Sequence, residues 1–334
     1  MARPVFRLNR EREAAFDIVS YGRRGPGQPT RFTREQIEQI ARTVRRVPEV
    51  MVKVSGGAKT TRGAEAHFQY ISRHGGLEVE TDDGERLVGK DVAAMLVEDW
   101  DLEIDAGLNR WRAMERGGRR QTKLVHNMIL SMPSGTSPNR LLAASRDFAR
   151  EEFALKHRYA MVLHTDQAHP HVHLVVSAYN IEGTRLNIRK ADLRRWRVQF
   201  ARQLRQHGIE ANATPAQIRG RLSDFQKDGI FRAARRGESR VEWERERRVT
   251  KAAELKETKP SASLGRILDT AETVRHDWLK TSLALESQGF RGLAAEVEQF
   301  RQSLQIPLTR EERALAAAER GQAEREPPQL KIVR

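Results

Sequence analysis

RYAMVLHTDQAHPHVHLVVSA, residues 158–178, holds two apolar runs, 158–164 and 171–178, joined by the proline-containing connection TDQAHP. The runs read as a hairpin. In the second, His171 and His173 alternate with Val172, Leu174 and Val176. Residues two apart on a strand share a face, so the imidazoles project to one side and the aliphatic chains to the other, into a core. His164 ends the first run and can approach the pair across the hairpin. Four of the ten histidines lie between positions 164 and 173. Three of them on one rigid hairpin make a facial ligand set for a cation, with positions left open for substrate oxygens and water. A lone histidine would read as a core or surface residue; His-x6-His-x-His enclosing an aspartate reads as a metal site. Asp166 is either an acceptor that fixes a histidine tautomer or a group that takes a proton. His169, in the connection, receives no role.

Outward from the hairpin, strands and helices mix. EVMVKVS (49–55) alternates like a strand and stops at Gly56-Gly57. A helix follows over 63–74, closed by Gly75-Gly76. Short strands at 77–80 and 86–88 flank Asp82-Asp83-Gly84. A helix is expected over 90–104 and a polar connection over 110–120. Next come a strand over 123–132, a helix capped by Ser137 and running to about 156, and, after the hairpin, a helix over 191–207. Local hairpins with interspersed helices indicate an α+β domain around a largely antiparallel sheet. The expected division is a basic arm and short helix (1–48), the catalytic domain (49–215), a charged helical linker (216–260) and a helical C-terminal module (261–334).

The chain has 334 residues, 60 Lys+Arg against 45 Asp+Glu, and no cysteine. Disulfides and thiol chemistry are excluded, and a reducing cytoplasm fits. No apolar run approaches the roughly 20 residues of a membrane helix, so membrane insertion is not expected. Residues 261–334 hold 11 Lys+Arg and 11 Asp+Glu, leaving 49 and 34 for residues 1–260, which therefore carry the whole +15. That surplus points to nucleic acid as partner, contacted from the first 260 residues. In the neutral C-terminal part, Leu264, Ile267, Leu268, Ala271, Val274 and Trp278 form one amphipathic stripe, and Leu293, Val297, Phe300 and Leu304 a second. They pack within this chain or dock a partner.

A three-histidine cation in a basic protein suggests phosphate-ester chemistry, which needs a nucleophile. Of four tyrosines, Tyr21 falls in the arm, and Tyr159 and Tyr179 lie about 17 and about 20 Å along their strands from the histidines. Tyr70 differs. Ala64, Phe68 and Ile71 make the core stripe of its helix, which leaves the phenol on a polar face with Ala66, His67, Arg73 and His74. Val54–Thr60 resembles a P-loop only faintly, because the required glycines fall at Lys53 and Ala58; Lys59 and the backbone N–H groups there remain phosphate contacts.

Three segments together resemble the relaxases of conjugative and mobilisable plasmids, within the His-hydrophobe-His (HUH) single-strand endonucleases and the branch that includes the T-DNA border endonuclease. They are HFQYISRHGGLEVE (67–80), HNMILSMPSGTS (126–137) and HTDQAHPHVHLVV (164–176), in the family's order. The resemblance covers about residues 49–215. It implies a palm-like, ferredoxin/RRM-like antiparallel sheet with the histidines at its centre. Tyr70 matches the nucleophile, Ser131 a serine that holds DNA beside the nick, His164, His171 and His173 the metal ligands, and Asp166 the acidic position. His169 stands where many members have Asn. The implied activity is nicking of one strand at a transfer origin through a 5′-phosphotyrosine link that can be rejoined. The implied substrate is single-stranded or locally melted DNA. Mg²⁺ or Mn²⁺ is the implied working ion, while imidazole ligands favour co-purifying Ni²⁺ or Zn²⁺. Arg62, Arg73, Arg185, Arg189 and Lys190, with Arg194, Arg195 and Arg197, are the expected DNA contacts. Relaxosome accessory proteins and a secretion-channel coupling protein are the implied partners, with the bacterial cytoplasm as the site of action and export in covalent linkage to DNA. Two other readings stand beside this: a metal-dependent phosphodiesterase using activated water, and a non-catalytic DNA-binding replication or partition protein.

Overall fold

The computed structural model describes residues 31–115, 117, 122–180, 182–220, 228–255 and 262–305. The arm read over 1–30 and the stretch beyond Pro307 lie outside them. The chain divides into two compact units, residues 46–213 and residues 1–45 together with 214–334. Helix α1, Arg34–Val44, belongs to the second; a capping box at Thr33 starts it, with the Thr33 side chain accepting from the Gln36 N–H and the Gln36 side chain accepting from the Thr33 N–H.

The first unit is built on a six-stranded sheet in the order β1-β4-β6-β5-β2-β3, every neighbouring pair antiparallel. The strands are β1 (Met51–Gly56), β2 (Val79–Thr81), β3 (Arg86–Leu87), β4 (Val125–Ser131), β5 (Tyr159–His164) and β6 (His171–Ser177). The helices are α2 (Thr61–Ile71), α3 (Val92–Asp99), α4 (Leu102–Glu115), α5 (Pro138–Phe153) and α6 (Lys190–Gln206). The α+β expectation with an antiparallel sheet and added C-terminal helices is met.

The hairpin supplies the two central strands. β6 lies between β4 and β5, and all seven of its residues are buried. Val172, Leu174 and Val176 face one core layer with Met128, Leu130 and Met161, covered by Phe148 and Phe153 of α5 and Trp196 and Phe200 of α6. The histidine face is not an open surface. Farther along it, Val175 joins Ala160 and Val162 under Phe68 and Ile71 of α2 and Leu96 of α3. One period-2 alternation therefore feeds two cores, and the histidines take over the second face only at one end of the strand.

Two local expectations change. The helix read over 90–104 is two helices, because the backbone turns at Trp100-Asp101, where Asp101 adopts φ +51°. The turn lets the buried Trp100 pack edge-on against Phe68 at 5.2 Å. The polar stretch 110–120 continues α4 as far as Glu115, held by Asn109, whose side-chain oxygen accepts from the Tyr179 hydroxyl at 2.6 Å.

In the second unit, α1 joins a 3-10 turn (Ala216–Arg219), α7 (Asp228–Arg235), α8 (Arg240–Leu255), α9 (Ala262–Ser287) and α10 (Arg291–Ser303). Ile40, Ile218, Val274, Trp278, Val297 and Phe300 share its core, and Trp278 Nε1 donates to the Ile218 carbonyl at 2.9 Å. Val274 and Trp278 of the first stripe thus bury against Val297 and Phe300 of the second. The Leu264 side chain lies outside the described residues.

Candidate active site

His164 ends β5 and stands directly opposite His171 in the register, while His173 pairs with Val162 on that side and with Ile129 on the other. The three rings lie 4.5 to 5.2 Å apart by centroid, and one ring nitrogen from each falls within 4.8 Å of the others. All three residues are buried. Backbone carbonyls fix two of the tautomers. His164 Nε2 donates to Ile71 O at 2.7 Å, and His171 Nδ1 to His169 O at 3.1 Å. The second nitrogen of each ring then carries the lone pair. No hydrogen bond reaches either nitrogen of His173 among the described residues, and its Nδ1 is buried. Burial and the adjacent His164 and His171 push His173 down to about 3, and burial lowers His164 as well. Neutral, convergent imidazoles with lone pairs available are the donor set a divalent cation requires, so the residues fit a metal.

Tyr70 reaches this centre from α2. Phe68 and Ile71 anchor the helix in the core, and the Tyr70 ring, 54% exposed, stands 6.2 Å from the His173 ring. The Ile71 carbonyl that holds His164 belongs to the residue after Tyr70, so the positions of Tyr70 and His164 are coupled through one backbone contact. Past α2, Arg73 and His74 adopt φ +53° and +57° and Gly75 +85°, which turns the chain back on itself. That turn aims Arg73 at the hairpin. Its Nη2 lies 2.5 Å from Asp166 Oδ2 and 3.2 Å from His164 Nδ1, and its guanidinium carbon sits 5.2 Å from the Tyr70 ring centre. The Arg73 hydrogen bond holds the Asp166 carboxyl below its usual range. Asp166 Oδ1 is 3.9 Å from His164 Nδ1, beyond hydrogen-bond reach. A cation bound at His164 Nδ1 takes the lone pair that Arg73 uses here.

The sequence marks His67 only as a helical neighbour of Tyr70, yet it lies at the site. Its ring stacks on Tyr70 (6.2 Å, 25° between planes) and meets His173 edge-on at 6.4 Å. Its Nε2 is buried without a partner, and burial lowers its pKa. Helical spacing from Tyr70 was visible in the sequence; the proximity to His173 arises only once α2 lies on the sheet. His169 also gains a place, since its Nδ1 accepts from the Ser134 N–H at 2.9 Å and ties the loop after β4 to the hairpin.

Ser131 ends β4 opposite His171, buried, with Oγ donating to Pro170 O at 3.2 Å. Arg62 is exposed near the start of α2, and Arg185, Arg189 and Lys190 are exposed after the hairpin. Arg195 is committed to Glu152 through two bonds of 2.5 and 2.6 Å, and Arg197 reaches Val52 O at 3.4 Å. Of the expected cations, Arg73 alone is brought into the histidine centre.

Residues 79–209 match the family model "Relaxase: MobA/VirD2-like, nuclease domain". That span contains the three histidines, Asp166 and Ser131, and begins after Tyr70. The T-DNA border endonuclease VirD2 of Agrobacterium fabrum (strain C58 / ATCC 33970) is 27% identical over 186 residues, 52% of this chain and 41% of that protein. VirD2 of Rhizobium radiobacter is 29% identical over 187 residues, 52% of this chain and 43% of that protein. The chain thus spans less than half the length of these curated relatives. A solved structure titled "Molecular Basis of Vancomycin Resistance Transfer in Staphylococcus aureus" aligns over 51% of this chain and 99% of its own at 13% identity, with a TM-score of 0.29.

Proposed function

We propose that this chain, whose residues 79–209 match the MobA/VirD2-like relaxase nuclease model, nicks one DNA strand at a transfer origin by transesterification through Tyr70. The observation that carries this reading is the exposed phenol of Tyr70 standing 6.2 Å from a ring of the His164, His171 and His173 triad. The Tyr70 oxygen attacks phosphorus, the bond to the 3′-oxygen breaks, and that oxygen leaves as a hydroxyl after taking up a proton. A 5′-phosphotyrosine ester remains. Because it is again a diester, a returning 3′-hydroxyl can reverse the step and rejoin the strand. A divalent cation held by His164, His171 and His173, Mg²⁺ or Mn²⁺ in the working enzyme, would offset negative charge growing on the non-bridging phosphate oxygens.

Asp166 acts by position. Held by Arg73 below the usual carboxylate range, it is a weak base at neutral pH and a firm anchor for the guanidinium beside Tyr70 and His164. Arg73 offers its remaining donors to the phosphate. Ser131 fixes the hairpin loop through Pro170, next to His171. Arg62, Arg185, Arg189 and Lys190 contact phosphates flanking the nick. The substrate is single-stranded or locally melted, since an attacked phosphate must bend into the site.

The nuclease part is taken as residues 49–215, with a linker to 260 and a C-terminal module beyond. Relaxosome accessory proteins and a secretion coupling protein are the proposed partners, because a covalent protein–DNA product has to be handed on. No helix among the described residues is long and apolar enough to cross a membrane; the proposed place of action is the bacterial cytoplasm, followed by export with the bound strand. The test uses a labelled single-stranded origin oligonucleotide and Mn²⁺. Wild type should give an SDS-resistant shifted band that Tyr70→Phe lacks. An adduct that survives Tyr70→Phe refutes the assignment, and repeated turnover without adduct favours a water-using phosphodiesterase.

A further inference from the structure

At the far end of the sheet from the histidines, four backbone segments lie side by side. Ala58 O accepts from the Leu124 N–H at 2.7 Å, Leu124 O from the Ala178 N–H at 2.7 Å, and Ala178 O from the Leu186 N–H at 2.8 Å. Lys59, Lys123 and Arg185 each adjoin one of these residues, so the pairing gathers three cations at one edge. Arg185 also bridges the backbone of Tyr179. Lys123 Nζ donates to Gly56 O at 2.8 Å. Its stem lies against Gly57, where a Cβ would meet Val125 O at 2.3 Å and Lys123 Cδ at 2.7 Å. Gly57, at φ +151°, is what lets the loop close over the lysine.

Like charges brought together repel, and this protein pairs its cations elsewhere in the unit. Arg146 is held by Glu80, Arg158 by Asp82 and Asp99, and Arg195 by Glu152. Among the described residues no carboxylate pairs with Lys59, Lys123 or Arg185. Burial and the charges of Arg185 and Lys59 lower the Lys123 ammonium. His126, opposite Val176 on β4, lies on the face of Met128 and Leu130 rather than that of α2 and is 6% exposed. Burial and the nearby Lys123 and Arg185 hold it at about 4, so near neutral pH it stays uncharged beside them. The N-terminus of α2 begins next to Lys59, capped by the Thr60 side chain, which accepts from the Gly63 N–H at 3.1 Å, and it adds its positive dipole end. Three clustered cations with no acid among them are a site for an anion.

We propose that Lys59, Lys123 and Arg185 form a phosphate-binding cradle at the start of α2, and that its ligand is a backbone phosphate of the strand whose nick lies at Tyr70. The anion chemistry stands on these residues; only the identity of the polyanion rests on the nicking reading. The ten residues from Thr60 to Tyr70 along α2 separate the cradle from the nucleophile by roughly 15 Å. One helix would therefore gauge the distance between a held phosphate and the attacked one.

The test measures binding of a fluorescein-labelled single-stranded origin oligonucleotide by anisotropy, without divalent metal, from 50 to 200 mM KCl. The variants are Lys59→Gln/Arg185→Gln and the charge-keeping Lys59→Arg/Arg185→Lys. Arg185 is exposed and Lys59 half-buried, so folding is not at stake. With about 0.7 of a counterion released per phosphate contact on a single strand, the slope of log Kd against log salt should flatten by about 1 to 1.5 in the Gln pair and stay put in the conservative pair. A second arm follows ³¹P line broadening of inorganic phosphate. An unchanged slope in the Gln pair overturns the cradle as a DNA site. An unchanged slope with loss of phosphate broadening assigns it to a free phosphate and overturns the DNA assignment equally. Adduct formation is scored on the same proteins in parallel reactions supplied with Mn²⁺: a flattened slope without any wild-type adduct upholds the cradle and refutes the nicking reading instead.

Discussion

Arg73 links three groups that no local pattern connects: the Asp166 carboxylate, the free nitrogen of His164 and the Tyr70 ring. If Asp166 serves to hold that guanidinium, Asp166→Asn should slow adduct formation about tenfold, the lower end for loss of a group that positions another. Oligonucleotide affinity and melting temperature should barely change, since the pair is exposed. A bell-shaped pH–rate profile that loses only its acidic limb in Asp166→Asn would show a general base instead. The histidines carry a second prediction. An unfolded imidazole takes a proton near pH 6.5, whereas folded His126 waits until about 4 and His173 until about 3. Between these values the unfolded chain binds more protons. The stability is thus complete above pH 6.5 and lost progressively as pH falls toward 4. Melting temperature of the metal-free protein should drop from pH 7 to pH 5, before ordinary carboxylates titrate; a flat profile contradicts it. Residue-level reading of the sequence reached His164, His171 and His173 because strand parity is local. It did not reach the His67–His173 contact or the Arg73–Asp166 pair, which exist only because α2 lies across the sheet.

At the scale of elements, the hairpin was legible because apolar alternation, a proline in the connection and flanking polar residues agree. The α3–α4 break was not, since nothing around Trp100 stops a helix; tertiary packing of that indole on Phe68 decides it. The turn after α2 is the element on which the site most depends. Gly75 lies at φ +85°, and a Cβ there would sit 2.2 Å from the Gly89 backbone. Gly75→Ala should cost about 1–3 kcal/mol, lowering the melting temperature by several degrees, and reduce adduct formation beyond that loss by displacing Arg73. On the opposite core face, Leu174→Ala should cost about 2–5 kcal/mol while the surviving folded fraction nicks normally, because Leu174 points away from the histidines. Urea melts and adduct yield per folded molecule check both. Equal effects of the two variants on yield would contradict the division of faces.

For the whole molecule, the charge asymmetry and the amphipathic stripes showed that the C-terminal helices differ in kind from the part built on the sheet. They did not show that α1 shares their core, because that contact joins residues more than 200 positions apart. With separate cores, the units should respond separately. Trp278→Ala should destabilise its own unit by about 3–5 kcal/mol and leave adduct formation intact, and residues 46–213 alone should still form the adduct. Loss of adduct in either case contradicts that independence. The central claim, that Tyr70 becomes the covalent link to DNA, is tested most directly on the full chain after reaction with the origin oligonucleotide and Mn²⁺, nuclease trimming and trypsin digestion. Cleavage after Arg62 and Arg73 releases Gly63–Arg73, GAEAHFQYISR, in which Tyr70 is the only tyrosine. Fragmentation mass spectrometry should place a nucleotide 5′-phosphate on Tyr70. The same mass on His67 or Ser72, or on a peptide elsewhere in the chain, would contradict the account.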